Sequence, residues 1–150
     1  MPWPERPGNN SVAMVMTTGV RKIELPKIED RRGNLSFIEG GRHIPFDIKR
    51  AYWIYDVPGG QYRGGHAYRT QQEFIVALSG SFELLVRGAD GQEQRYFLNR
   101  SYYGVYLPAL TWRQLTDFST NSLALVLSSG AFDESDYIYD FDEYKRLSPL

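Results

Sequence analysis

Gly64-Gly65-His66-Ala67-Tyr68-Arg69-Thr70-Gln71-Gln72-Glu73-Phe74-Ile75-Val76-Ala77-Leu78-Ser79-Gly80 joins the densest strand signal of the chain to the imidazole best placed for catalysis. Phe74, Val76 and Leu78 alternate along one face of a predicted strand. Ser79-Gly80 then turns the chain into Phe82-Glu83-Leu84-Leu85-Val86, whose Phe82, Leu84 and Val86 again share a face, and the two runs together predict a hairpin. Upstream, His66 stands between a double-glycine turn and a strand. An ordinary pKa of about 6.5 lets a histidine there exchange protons at physiological pH. Tyr68 shares strand parity with His66, so both side chains are expected in one cavity. Its phenol, with a pKa of about 10, is a hydrogen-bond or proton donor and a reluctant base, or else an ordinary core ring.

Working outward, short β-type runs separated by turn chemistry fill the chain from Val20. Arg21-Lys22-Ile23-Glu24-Leu25 reads as an early edge strand. Asp30-Arg31-Arg32-Gly33-Asn34 is a hairpin turn into Leu35-Ser36-Phe37-Ile38-Glu39, since Gly and Asn tolerate positive φ. Gly40 to Phe46 is a loop holding His43, expected in solvent, and Ile48 to Val57 is a long aromatic strand. Gly88-Ala89-Asp90-Gly91 turns into a strand over 93–98, and runs at 102–107, 111–116 and 123–127 supply three more. Turn signals about every ten residues predict an all-β sandwich or barrel. The segment from Asp133 to Leu147, acidic first and basic last, predicts a short C-terminal helix packed outside the barrel.

The chain has 150 residues, which suits one domain. Residues 1–19 carry Pro2, Pro4, Pro7 and Gly8 and are expected to form a disordered leader, with 20–150 as the single folded domain. With 17 basic against 18 acidic residues there is no polycationic face for nucleic acid. No apolar run is long enough for a membrane span or a signal-peptide core, and the absence of cysteine excludes disulfides, thiolate metal sites and a thiol nucleophile. A cytoplasmic location fits. The 11 tyrosines predict a pocket lined by rings that also present hydroxyls.

Arg63, Arg50 and Arg113 are either surface charges or guanidinium groups for bidentate capture of phosphate, Arg63 being the best placed beside the glycine-rich turn. Neither Ser79 nor Ser81 has a base and orienter around it, so no hydrolase triad is read, and no phosphate-cradling glycine loop occurs.

The spacing His66-x-Tyr68-x4-Glu73-x6-Gly80 resembles the first cupin motif, with Tyr68 where a second histidine stands. Pro108-Ala109-Leu110-Thr111-Trp112-Arg113 resembles the second motif, with Leu110 and Arg113 at its glycine and histidine positions. The fold implied is a cupin, an RmlC-like jelly-roll barrel with a short C-terminal helix. A cupin metal site uses neutral imidazoles and a carboxylate; here only His66 and Glu73 keep a strong ligand type, so neither metal nor cofactor is expected.

More of the chain carries a narrower likeness. Asp30-Arg31-Arg32-Gly33-Asn34-Leu35, Ile44-Pro45-Phe46-Asp47-Ile48-Lys49-Arg50-Ala51-Tyr52, Arg63-Gly64-Gly65-His66-Ala67, Leu78-Ser79-Gly80-Ser81, Pro108 with Trp112, and Asp133-Glu134-Ser135-Asp136-Tyr137-Ile138 together resemble the sugar 3,4-ketoisomerase family. The resemblance spans about Val20 to Leu147. It implies a metal-free homodimer with exchanged N-terminal strands, acting on a dTDP-linked 4-keto-6-deoxyhexose in deoxyaminosugar and surface-polysaccharide synthesis. In that family a His-x-His pair handles protons. His66 matches its first member and Tyr68 takes the place of the second, while the family's Glu-Gln pair appears as Gln72-Glu73. The implied site is therefore His66 and Tyr68 as catalytic residues, with Arg63, Arg50, Tyr52, Gln72, Glu73 and Arg113 on the substrate. The alternative is a non-catalytic nucleotide-sugar binder that kept the barrel and lost the acid.

Overall fold

The computed structural model describes residues 19–148. The expected leader therefore lies outside the described residues, apart from Gly19. Among the described residues twelve strands run in chain order: β1 (Arg21–Glu24), β2 (Lys27–Ile28), β3 (Leu35–Ser36), β4 (Arg50–Tyr55), β5 (Arg63–Tyr68), β6 (Glu73–Ser79), β7 (Phe82–Arg87), β8 (Glu93–Leu98), β9 (Tyr103–Leu107), β10 (Trp112–Thr116), β11 (Leu123–Ser128) and β12 (Tyr137–Ile138). A single α-helix, α1 (Phe141–Leu147), closes the described chain.

Two five-stranded antiparallel sheets, ordered β1-β9-β6-β11-β4 and β12-β5-β10-β7-β8, form the sandwich, and β2 with β3 makes a small separate ribbon. Between the sheets lies the main core. Ile75 and Ala77 of β6, Val105 and Leu107 of β9, and Ala124 and Val126 of β11 face Phe82, Leu84 and Val86 of β7, Leu98 of β8 and Leu115 of β10. This is the face-to-face sheet packing of a jelly roll, in which each strand's inward set meets the other sheet's.

The hairpin expected across Ser79-Gly80 does not form. β6 pairs with β9 and β11, whereas β7 pairs with β8 and β10, so the two runs belong to opposite sheets. Residues 119–122 hold this corner. Ser119 N–H donates to the Ser81 carbonyl, Ser119 Oγ accepts from Ser81 N–H, and Ser79 Oγ donates to the Asn121 carbonyl. Gly80 makes the bend at φ 65°, and a Cβ on it would stand 2.5 Å from Ser119 Oγ. Alternation also misled for β6, because both its faces are covered. Phe74 and Val76 pack with Leu25, Ile44 and Phe46 from the N-terminal loops, Ile75 and Ala77 fill the core, and Leu78 is exposed.

Three smaller differences arise from pairing and local hydrogen bonds. The Asp30–Asn34 turn joins β2 to β3, with Ile28 opposite Leu35, rather than reaching back to β1. His43 is half-buried instead of solvated: its Nδ1 accepts from Glu39 N–H at 2.8 Å and its ring meets the edge of Phe37. Burial and the neighbouring Arg42 charge hold His43 below its ordinary pKa. Finally, the C-terminal segment is only partly helical. It opens with a 3-10 turn at Glu134–Asp136, adds β12 to β5, and becomes α1 only at Phe141, after an Asp140 N-cap that accepts from Asp142 N–H. The helix packs outside the barrel, where Tyr144 and Phe141 cover Ala67, Trp112 and Ile138.

Candidate active site

β5 creates the site through a defect in its own ladder. Gly64 and Gly65 lie within the strand, not in a turn before it, at φ 98° and 81°. Opposite them the register slips between Arg113 and Gln114, so that Arg113 faces His66 and Gln114 faces Gly64. Such a bulge needs residues that accept positive φ, and it re-aims the side chains beyond it. Ala67 turns outward under α1, while His66 and Tyr68 turn into a cavity of about 960 Å³.

Tyrosines surround His66. Ring centroids lie at 5.0 Å for Tyr68, 5.1 Å for Tyr137 and 6.3 Å for Tyr139. Its Nε2 is buried and has no hydrogen-bond partner among the described residues. Burial in this aromatic setting, then the nearby Arg113 charge, pull its pKa down to about 3. The imidazole is neutral at physiological pH, with a free lone pair or N–H for a ligand.

Beneath the cavity floor lies a closed ionic cluster. Arg113 and Glu73 are each 1% exposed, and Arg113 Nη1 donates to Glu73 Oε1 at 2.6 Å. Glu73 Oε2 accepts from Ser128 Oγ at 2.6 Å and from the Tyr52 hydroxyl at 2.9 Å, and Arg50 lies 3.7 Å away. Arg113 Nε donates to the Thr111 carbonyl, and its guanidinium lies over the Tyr68 ring. Glu73 is thus committed to its neighbours. Burial, followed by the Glu73 charge, drives the Tyr52 and Tyr68 hydroxyls far above the ordinary phenol range, so both remain protonated.

Of the residues read from sequence, His66, Tyr68, Tyr52, Glu73, Arg113, Arg50 and Arg63 border this one cavity. They do so at different depths. Arg63 is exposed at the mouth, and Arg50 is held between the rings of Tyr52 and Phe132, with Nε and Nη1 unpartnered among the described residues. Glu73 and Arg113 form the support under the floor. Tyr68 has no exposed surface at all, and its hydroxyl donates to that of Tyr137 at 3.1 Å. Gln72, just before β6, is not among the cavity residues: its Oε1 accepts from the Tyr106 hydroxyl at 2.6 Å.

Sequence reasoning missed Tyr137. β12 places it directly opposite Tyr68 in the ladder, on the cavity side, with Ile138 opposite Ala67 outside. Asp136 fixes that placement, its buried carboxylate accepting from Thr70 N–H, Thr70 Oγ1 and Gln71 N–H. The signals were the Tyr137-Ile138-Tyr139 alternation, hidden inside a segment of helical composition, and the place of Tyr137 in the Asp133–Ile138 motif of the family resemblance. Trp53, Tyr62 and Phe132, all exposed, complete an aromatic rim.

Residues 18–148 match the family described as FdtA: WxcM-like, C-terminal. The chain is 38% identical over 125 residues to the TDP-4-oxo-6-deoxy-alpha-D-glucose-3,4-oxoisomerase of Aneurinibacillus thermoaerophilus, covering 83% of this chain and 88% of that protein. A histidine-to-asparagine variant of the 3,4-ketoisomerase QdtA from Thermoanaerobacterium thermosaccharolyticum, solved with TDP-4-keto-6-deoxyglucose, superposes with TM-score 0.83 at 36% identity, over 87% of this chain and 94% of that one. The WlaRB TDP-quinovose 3,4-ketoisomerase of Campylobacter jejuni gives TM-score 0.81 at 32% identity, over 87% and 99%.

Proposed function

The chain belongs to the FdtA, WxcM-like family, and from that premise we propose that it is a 3,4-ketoisomerase acting on a TDP-linked 4-keto-6-deoxyhexose. The observation that carries the reading is the buried, neutral His66, whose Nε2 has no protein partner among the described residues and whose ring borders a cavity of about 960 Å³. Near-full-length similarity to named isomerases supports catalysis over a binding role alone.

The reaction moves a ketone from C4 to C3. The C4 carbonyl acidifies the C3 proton; His66 removes it, the C3–H electrons form the C3–C4 double bond and the carbonyl pair moves to O4, which takes a proton from a tyrosine hydroxyl; the enediol's O3 proton then passes to that tyrosinate as the C3 carbonyl forms, and C4 takes the proton held by His66. A depressed pKa keeps His66 unprotonated and ready, and the negative charge that develops beside it favours the imidazolium only during turnover. Hydroxyls of the tyrosine cluster act on the enolate oxygen in a site shielded from water. Arg63 at the mouth and Arg50 between its two rings are assigned to the diphosphate, and the exposed rim rings offer faces to the base.

The reaction so assigned works without a metal. Both oxygens of Glu73, the cupin carboxylate position, are held by Arg113, Ser128 and Tyr52, and the Arg113 charge opposes a second cation there. We place the protein in the cytoplasm as a homodimer serving deoxysugar and polysaccharide synthesis. Among the described residues no helix is long and apolar enough to cross a membrane. The direct test is incubation with TDP-4-keto-6-deoxyglucose in deuterated water. Deuterium at C3 or C4 and formation of the 3-keto sugar are expected; an unlabelled, unchanged substrate would leave only the binder.

A further inference from the structure

The geometry points to Tyr137, on β12, as the hydroxyl that exchanges protons with the sugar's O3 and O4, with Tyr68 behind it as a positioning residue. This rests on the isomerase reading and reassigns the acid within it. Position 68 is where the motif spacing puts a proton carrier, yet Tyr68 has no exposed surface, while Tyr137 is only half-buried and borders the cavity. The hydrogen bond runs the right way. Tyr68 donates to the Tyr137 oxygen at 3.1 Å, which leaves the Tyr137 hydrogen to rotate toward a ligand.

Its neighbours hold the Tyr137 ring in place. It lies 4.6 Å from the Tyr68 ring, 5.1 Å from His66 and 5.3 Å from Tyr139, with which it stacks at 11°. The same phenol therefore stands beside the imidazole and is braced from behind. The proton traffic balances. As His66 takes the C3 proton, the C3–H electrons form the C3–C4 double bond, the carbonyl π pair moves to O4, and O4 takes the Tyr137 proton. The tyrosinate, stabilised by the Tyr68 hydroxyl, then takes the O3 proton. The O3–H electrons form the C3 carbonyl, the double bond takes the proton held by His66 at C4, and both residues are restored.

The test uses the full chain with TDP-4-keto-6-deoxyglucose in deuterated water, tracking product and C3 deuteration of recovered substrate by mass spectrometry and NMR. Tyr137→Phe keeps the ring stack and removes only the hydroxyl. It is expected to lower kcat about 10²-fold with little change in KM. The ratio of deuterated substrate to product should rise, because an enolate that cannot exchange its oxygen protons returns through C3. Tyr68→Phe should lower kcat about ten-fold, and adding it to Tyr137→Phe should cost little more. A Tyr137→Phe enzyme with wild-type kcat, or one slowed with an unchanged exchange-to-product ratio, would overturn the assignment. Tyr68→Phe being more damaging than Tyr137→Phe would do the same. A wild-type protein that neither exchanges nor isomerises would instead remove the isomerase reading itself.

Discussion

Arg113 Nη1 and Glu73 Oε1 meet at 2.6 Å with both residues 1% exposed, so the floor of the cavity rests on a dry ion pair. Removing one partner strands the other charge. Arg113→Met is expected to destabilise the protein by about 3–5 kcal/mol, read from urea unfolding. In the same variant the His66 pKa should rise, since the Arg113 charge is one of the two causes that depress it, after burial. An NMR titration of the imidazole checks this. An unmoved His66 resonance profile would mean that burial alone sets its protonation.

His66→Asn should abolish both isomerisation and solvent exchange at C3 while leaving Tm within a few degrees at neutral pH. It should also change how stability responds to acid. The folded pKa of about 3 lies below the ordinary 6.5, so the unfolded chain binds a proton there that the native protein refuses. Stability from this group is complete above about pH 6.5 and is lost as pH falls toward 3. Between pH 7 and 5.5 the wild type should lose about 1 kcal/mol more than His66→Asn, in paired urea titrations. Parallel losses would place the histidine outside the buried site.

Arg63→Ala should weaken TDP binding about ten-fold by calorimetry and raise KM while largely sparing kcat. Arg63 is exposed at the mouth of the cavity, and the proposed reading assigns it to the diphosphate and not to the reacting carbons. A fall in kcat at unchanged affinity would move Arg63 from anchoring to chemistry.

β1 is an edge strand, bonded on one flank to β9. Such an edge invites another chain, and light scattering at working concentration should give twice the 17.3 kDa chain mass. A mass of one chain would reject the homodimer.

Periodicity and turn chemistry alone determined that the chain is all-β, where most strands begin and end, and that β7 and β8 join through Gly88–Gly91. These signals are local, carried within a few residues, and survive whatever the strands pair with. His66 and the family were equally legible, because a motif is a local spacing too. Partnership was not. Sheet membership of β6 and β7 depends on β9, β10 and β11, and alternation looks the same whether a strand turns back on its neighbour or crosses to the opposite sheet. Nor could spacing show that Glu73 spends its carboxylate on Arg113, 40 residues away, or that Tyr137, 69 residues from Tyr68, completes the ring of hydroxyls around His66. Those contacts exist only once β6 and β10 face each other across the two sheets and β12 pairs with β5, and burial, which decides whether Tyr68 or Tyr137 can touch a ligand, is a property of the closed barrel and not of any stretch of chain.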